Sequence, residues 1–170
     1  RAKLRDVRPE RESPLDRRRL VGLRLLLVED NENNRQIARE LLESEGADVR
    51  MAVHGSEAID VLRTEAASFD LVLMDLRMPV MDGYAATRKI RGELGLLALP
   101  IIAITANAMD QDREACLAAG MNDHVGKPFD LDDLVRVLLR HAGRRAIIGN
   151  ASASREPIEV APSAPSAPSA

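Results

Sequence analysis

The sequence has very few of the residues on which several classes of protein depend. Tryptophan is absent, Phe69, Tyr84 and Phe129 are the only aromatic residues among 170, and Cys116 is the single cysteine. Three aromatic rings are too few for a base-stacking surface, so we expect no nucleic-acid partner. One cysteine excludes an internal disulfide and a cysteine-rich zinc site, which fits a protein of the reducing cytoplasm.

Strong net charge and long apolar runs are missing as well. A formal net charge of −3 gives no electrostatic reason for binding DNA or membranes. No apolar run reaches the roughly 18–20 residues that span a bilayer, and no signal peptide opens the chain. We therefore expect a cytoplasmic domain without direct membrane contact, although its parent protein could be membrane-anchored. Since 45% of the residues are apolar, a globular core built from aliphatic side chains is feasible.

Composition divides the chain into three parts. Residues 1–22 are dominated by Arg and Glu and are predicted to be a charged linker. A phosphate-binding patch at Arg17–Arg19 is the less favoured alternative. Residues 144–170 end in Pro-Ser-Ala repeats, which cannot bury a core and predict a flexible tail. The folded domain is expected over 23–143, and we interpret the start at Arg1 as the sign of an excerpt from a longer protein.

Apolar runs alternate with segments of helical period between these two tails. The predicted strands lie at 25–28, 49–53, 71–74, 101–104 and 124–125. The predicted helices lie at 33–44, 56–66, 83–91, 110–119 and from 131 onward. Apolar strands between helices indicate an α/β protein with a parallel sheet covered on both faces. Right-handed crossovers then give a doubly wound, three-layer sandwich, in which chemistry collects at the carboxyl ends of the strands.

Polar residues follow four of the five predicted strands. They are Glu29 and Asp30 after the first strand, Asp75 after the third, Thr105 after the fourth and Lys127 after the fifth. Each alone is explained by capping or by ordinary strand chemistry, but their convergence on one sheet edge favours a functional site. Two carboxylates about 4 Å apart repel by roughly 4 kcal/mol at an effective dielectric near 20. Such a cluster needs a cation, and oxygen ligands without His or Cys suit Mg²⁺.

Phosphoryl transfer is the chemistry that these groups predict. A transferring phosphoryl group needs a metal ion, a fixed positive charge and hydrogen-bond donors for its oxygens. Lys127 supplies the charge and Thr105 a hydroxyl. Asp75 is predicted to be the in-line nucleophile, which would form an acyl phosphate.

The motifs around these residues resemble the response-regulator receiver domain. The matching stretches are Val28-Glu29-Asp30-Asn31, Met74-Asp75-Leu76-Arg77-Met78-Pro79, Met81-Asp82-Gly83, Ile104-Thr105-Ala106 and Lys127-Pro128-Phe129. The resemblance covers residues 23–141. It implies the flavodoxin- and CheY-like fold, with five strands in the order 2-1-3-4-5 and five helices.

The resemblance also implies a role for each site residue. Asp75 would be phosphorylated from a phosphohistidine. The carboxylates of Asp30 and Asp75 and the backbone carbonyl of Arg77 would bind Mg²⁺ directly, with Glu29 acting through water. Thr105 and Lys127 would hold the phosphoryl oxygens.

His124 departs from the commonest pattern of that family. Members usually carry Tyr or Phe three residues before the lysine, and this ring moves inward together with the phosphate-bound threonine. We interpret His124 either as the switch residue, beside Thr105, or as a half-exposed imidazole at the strand edge. A pKa near ~6.5 would make such a switch weaker or pH-sensitive. The positions that set acyl-phosphate lifetime in the family hold Arg77 and Asn107.

The runs 31–38 and 104–109 resemble receivers of bacterial hybrid sensor histidine kinases in particular. This implies a phosphoacceptor domain that is not itself a kinase, inside a parent protein-histidine kinase. Its partner would be a histidine kinase dimerisation and phosphotransfer domain or a histidine phosphotransfer protein, and homodimerisation stays open.

Three alternatives compete with this interpretation. The first is the receiver of a stand-alone or DNA-binding response regulator, although the tail carries no output domain. The second is an aspartyl-phosphate phosphatase of the haloacid dehalogenase type, whose second acid would fall at Arg77. The third is a fold used only for docking, which has no need of a repulsive acid cluster.

Overall fold

The computed structural model describes residues 18–106 and 110–152, with side chains omitted at 110–111 and 143–152. The strands are β1 (Arg24–Val28), β2 (Asp48–Ala52), β3 (Leu71–Asp75), β4 (Ile101–Thr105) and β5 (Asp123–Gly126). The helices are α1 (Glu32–Ser44), α2 (Gly55–Glu65), α3 (Gly83–Gly92), α4 (Asp110–Ala119) and α5 (Leu131–Ser152), and a 3₁₀ turn at Ala66–Ser68 follows α2. In the described ranges no helix is both long enough and apolar enough to cross a bilayer.

The five strands form one parallel sheet in the order β2-β1-β3-β4-β5. This confirms the predicted doubly wound architecture and its strand order. The register places the carboxyl ends of β3, β4 and β5 side by side, since Asp75 pairs with Ile104 and Thr105 pairs with Gly126. The strand order changes direction between β1 and β3, so a ligand site is expected outside the carboxyl ends of these two strands.

Alternate residues of the central strands supply two separate aliphatic cores. On one face Leu26, Val72 and Ala103 pack with α2, α3 and α4, and on the other Leu27, Leu73 and Ile102 pack with α1 and α5. Burial on both sheet faces explains why these strands read as continuous apolar runs rather than as alternating ones. Phe69 is the one buried aromatic ring of the two core clusters, in agreement with the shortage of aromatic residues.

The folded unit begins before the predicted boundary at residue 23. Leu20 is buried in the core, and Arg19 forms an ion pair of 2.7 Å with the buried Glu45. Glu45 needs a counter-charge because an unpaired buried carboxylate would be strongly destabilising. Arg19 is therefore part of the folded unit, not of a linker or of a phosphate-binding patch.

The last helix also continues past the predicted boundary at residue 143 and ends at Ser152. The remainder of the predicted tail, most of the predicted linker and the lifetime position Asn107 lie outside the described residues.

Gly83 lets α3 begin directly against the strand that carries Asp75. A Cβ atom at this position would lie 2.3 Å from the Asp75 carbonyl oxygen and 3.0 Å from the Leu76 Cα. Both neighbours are backbone atoms, so they have no side-chain rotation by which to make room. The Asp82 carboxylate caps the helix by accepting a hydrogen bond of 2.8 Å from the Ala85 amide.

Replacing Gly83 by Ala should therefore push α3 away from β3 and lower the free energy of unfolding by about 1–3 kcal/mol. Gly92, at the end of the same helix, is the matched control, because a Cβ there meets nothing within 4 Å. Gly92→Ala should be neutral or stabilise by about 0.4–1 kcal/mol. Urea unfolding followed by circular dichroism measures both, and equal effects at the two positions would contradict the close-packing argument.

Candidate functional site

Three carboxylates meet at the carboxyl edge of the sheet. Glu29 and Asp30 follow β1, and Asp75 is the last residue of β3 rather than the first residue after it. One oxygen of each side chain lies within 4.8 Å of the others. Glu29 and Asp75 are almost fully buried, with 1% and 4% of their surface exposed, while Asp30 is partly exposed. The three acids therefore lie together at this edge of the sheet, as the sequence predicts.

Lys127 is the cation of this cluster. Its Nζ lies 2.7 Å from Glu29 Oε2 and 3.4 Å from Asp75 Oδ2. Its backbone amide donates a hydrogen bond of 2.8 Å to the Thr105 carbonyl oxygen, which anchors the residue to β4. Two carboxylates at this separation repel by about 3–4 kcal/mol at an effective dielectric near 20. One ammonium group cannot neutralise three carboxylates, so the site keeps a negative balance.

The two closest partners have shifted pKa values. Burial is the main cause of the raised pKa of Glu29, although hydrogen bonds from Lys127 and from the Asn31 amide work in the opposite direction. Burial alone would lower the pKa of Lys127, but the hydrogen bond and charge of Glu29 and the charge of Asp75 outweigh it and raise that pKa. Because the pKa of Glu29 is raised in the folded state, ionisation of this carboxyl opposes folding as the pH rises through its ordinary value.

The loop between β1 and α1 holds the first two acids. The Asn31 amide donates to Glu29 Oε1 over 3.1 Å, and the Asn31 side chain caps α1 by accepting from the Asn34 amide. Nη1 of Arg35 donates to the carbonyl oxygens of Glu29 and Asp30, at 2.8 and 3.2 Å. The sequence reasoning assigned no role to Arg35. Its position in the second turn of α1 lets it reach back to the preceding loop, but its acceptors are backbone carbonyls, which leave no mark in the sequence.

Thr105 and Arg77 lie on the other side of Asp75. Thr105 ends β4 and is 4% exposed, and the backbone amide of Arg77 donates to Asp75 Oδ1 over 3.2 Å. Both residues border a cavity of about 550 Å³, whose other lining residues are Leu76, Met78, Asp82, Tyr84, Ala106 and Asp112. The end of β4 and the loop that follows β3 therefore border free space, although Asp75 itself does not line that cavity.

The connection from β3 to α3 contains a tight turn beside the site. The Met81 amide donates to the Pro79 carbonyl oxygen over 2.8 Å, and Val80 between them has a φ of 69° and a fully exposed side chain. This is a three-residue γ-turn, a conformation that a β-branched residue rarely adopts. The turn fixes the path of the chain between Asp75 and the cap of α3.

His124 lies on β5 opposite Ala103 of β4. Its side chain is 26% exposed, and Nδ1 lies 3.8 Å from an oxygen of Asp123. The ring borders a small cavity of about 100 Å³ with residues of α4 and α5, among them Arg113 and Arg140. Thr105 borders a different cavity. The structure therefore places His124 at a half-exposed strand edge, and a switch role requires the ring to rotate.

The donor set at this edge fits a small, hard divalent cation. Carboxylate oxygens from two neighbouring strands face one another without a competing His or Cys ligand, as Mg²⁺ prefers. Lys127 beside them adds a fixed charge for an anionic group on Asp75. The arrangement can hold a cation and an anion side by side, with a carboxylate positioned between them.

Known proteins share this fold. Residues 25–139 match the family model described as the response regulator receiver domain. The Two-component system protein A of Emericella nidulans is 46% identical over 120 residues, which cover 70% of this chain but 17% of that protein. The chain thus corresponds to a small part of that relative.

Two solved structures are similar along most of their length. The receiver domain of the sensor histidine kinase PA1611 from Pseudomonas aeruginosa, with a magnesium ion coordinated in its active site cleft, is 45% identical. It matches with a TM-score of 0.66 over 72% of this chain and 99% of that one. The receiver domain of Ssk1 from Saccharomyces cerevisiae, crystallised with the histidine phosphotransfer protein Ypd1, is 27% identical, with a TM-score of 0.68 over 76% and 94%. This chain therefore belongs to the response regulator receiver domain family.

Proposed function

We propose that Asp75 accepts a phosphoryl group from a phosphohistidine, in the presence of Mg²⁺, and that the domain signals through the resulting change at Thr105 and Lys127. The cluster of three carboxylates within 4.8 Å, with the Lys127 ammonium at its border, is the observation on which the proposal rests. Holding these like charges together costs free energy. Phosphoryl transfer makes use of both the carboxylates and the ammonium group.

The proposed ligands of Mg²⁺ are the carboxylates of Asp30 and Asp75 and the backbone carbonyl of Arg77, with Glu29 acting through a water molecule. The hydrogen bond from the Arg77 amide to Asp75 supports this set because it holds the Arg77 backbone beside the carboxylate. When bound, Mg²⁺ would neutralise charge on the phosphoryl oxygens and on the acids around them. The similar receiver of PA1611 holds magnesium in its active site cleft.

The transfer itself is a displacement at phosphorus. A lone pair on an oxygen of Asp75 forms the new O–P bond, the P–N bond of the phosphohistidine breaks, and its electron pair stays on the imidazole nitrogen. Lys127 lies 3.4 Å from Asp75 and would bind an oxygen of the transferred group, since Nζ can turn from Glu29 toward it. The Thr105 hydroxyl would bind another oxygen from the side of the cavity.

We propose further that the signal passes from Thr105 to the loop that enters α4 and to β5. The amide of Lys127 is bonded to the Thr105 carbonyl, so a shift of either residue moves both strand ends. His124 would follow by rotating from the cavity at α4 and α5, and we propose it as the switch residue on that basis.

The phosphodonor that we propose is a histidine phosphotransfer protein or the dimerisation domain of a histidine kinase. The complex of the Ssk1 receiver with Ypd1 supports the first of these. Similarity to the PA1611 receiver supports an origin in a hybrid sensor histidine kinase. The domain would then act on the cytoplasmic side of its parent protein.

With acetyl phosphate and Mg²⁺, the chain should gain one phosphoryl group, and Asp75→Asn should gain none, because an amide oxygen is too weak a nucleophile. Asp60→Asn is the control, since Asp60 is an exposed acid on α2. Intact-protein mass spectrometry reads all three proteins, and labelling of Asp75→Asn to the same extent as wild type would refute the assignment.

Lys127→Met should lower the free energy of unfolding by about 3–5 kcal/mol in EDTA, because Glu29 loses the counter-charge at 2.7 Å. Saturating Mg²⁺ should restore most of that loss, so the variant gains more from the ion than wild type does. Lys89→Met, at an exposed position of α3, should change neither value.

Urea unfolding with and without Mg²⁺ gives the comparison. If Lys127→Met were as stable as wild type in EDTA, Lys127 would not be the cation that balances the site.

A further inference from the structure

The turn between β1 and α1 carries two of the three acids on very few residues. Val28 is the last residue of β1 that pairs with both neighbouring strands, and the Glu29 amide still donates to the Ala52 carbonyl over 3.2 Å. Beyond this bond the sheet no longer fixes the backbone. The carbonyl oxygens of Glu29 and Asp30 therefore need partners outside the sheet.

Arg35 supplies those partners. One nitrogen, Nη1, donates to the Glu29 oxygen at 2.8 Å and to the Asp30 oxygen at 3.2 Å. The side chain is half-buried, and the Arg35 amide itself donates to the Asn31 carbonyl at 2.9 Å. A single residue of α1 is thus bonded to three successive carbonyl groups of the loop.

Repulsion between the carboxylates acts on this loop directly. One carboxylate oxygen each of Glu29, Asp30 and Asp75 lies within 4.8 Å of the others, and the peptide bond between Glu29 and Asp30 does not fix the directions of their side chains. The Glu29 carboxylate is oriented by the Asn31 amide, which in turn depends on the backbone of the loop. If the carbonyl groups of Glu29 and Asp30 rotated, both acidic side chains would turn with them, and their repulsion favours such a rotation.

We propose that Arg35 is a positioning residue of the metal site: its guanidinium bridges the Glu29 and Asp30 carbonyls and holds both acidic side chains at the spacing that binds a divalent cation. The inference rests on the proposed Mg²⁺ site. Mg²⁺ tolerates little departure from octahedral geometry, so ligands that are fixed before it binds bind it more tightly. Groups that orient metal ligands typically contribute 10–100-fold to affinity.

The direction of the effect separates positioning from simple electrostatics. Removing a positive charge near an acidic site should by itself tighten Mg²⁺ binding, because a repulsion between cations is lost. Loss of the hydrogen bonds from Arg35 to the Glu29 and Asp30 carbonyls should weaken Mg²⁺ binding. Arg35→Met should therefore raise the Mg²⁺ dissociation constant about tenfold. Arg35→Lys keeps the charge without the planar guanidinium and should fall between wild type and Arg35→Met.

Arg39→Met is the matched control. Arg39 lies one turn further along α1 and pairs with Glu43 at 2.8 Å, so it shares the charge and the helix but not the loop contacts. Its Mg²⁺ affinity should equal that of wild type or be slightly higher. In EDTA the melting temperatures of Arg35→Met and Arg39→Met should be similar, since water can replace the lost bonds of a half-buried side chain.

Mg²⁺ titrations followed by amide chemical shifts, together with melting curves, provide these readouts without any phosphorylation. Equal or tighter Mg²⁺ binding by Arg35→Met would overturn the inference while leaving the proposed function intact. Absence of Mg²⁺ binding by wild type, or phosphorylation away from Asp75, would instead remove the proposed function.

Discussion

Mutual repulsion of three carboxylates held within 4.8 Å is the constraint to which the rest of the structure is fitted. Left alone, these groups would separate or take up protons. Burial is the main cause of the raised pKa of Glu29, and the charge of Asp75 is a smaller cause in the same direction. Lys127 offsets part of the repulsion, and the packing of the fold keeps the three carboxylates together against the rest. The site therefore keeps an excess of negative charge, whose mutual repulsion a bound cation would offset.

The central strands supply the rigidity that such a site requires. β3 and β4 are buried along their whole length, and their residues alternate between two aliphatic cores. The strand that carries Asp75 packs into both cores, so a shift of its backbone away from the other acids would disturb both cores at once. Gly83 adds a second restraint, because its missing side chain lets the backbone of α3 pack against the Asp75 carbonyl.

The sequence was sufficient to predict the fold and the convergence of Glu29, Asp30, Asp75, Thr105 and Lys127. The reason is topological: in a parallel sheet, residues that follow successive strands must meet at one edge. Apart from the C-terminal end of α5, the helix and strand bounds differ from the prediction by a residue or two, as at Asp75, because hydrogen bonding rather than apolarity decides where a strand ends.

Other features depend on contacts that leave no pattern in the sequence. Arg35 binds backbone carbonyls, which every residue possesses, so nothing in its neighbours marks the contact. Leu20 is an isolated apolar residue after a charged segment, and only the fold shows that it is buried. For His124 the sequence left two interpretations open. The structure places the ring at the strand edge near α4 and α5, and a rotation that depends on phosphorylation remains a proposal.

The scarcity of aromatic residues, combined with the position of one of them, gives the protein a built-in optical probe. Tyr84 is the only tyrosine, tryptophan is absent, and the ring borders the cavity that also contains Thr105. Burial, together with the neighbouring Cys116 and Asp112, raises the pKa of Tyr84 to about 12, so the phenol stays protonated at any pH at which the fold would be studied. Tyrosine emission from this chain therefore arises from one location, beside the cavity that Thr105 also lines, and needs no label to report on it.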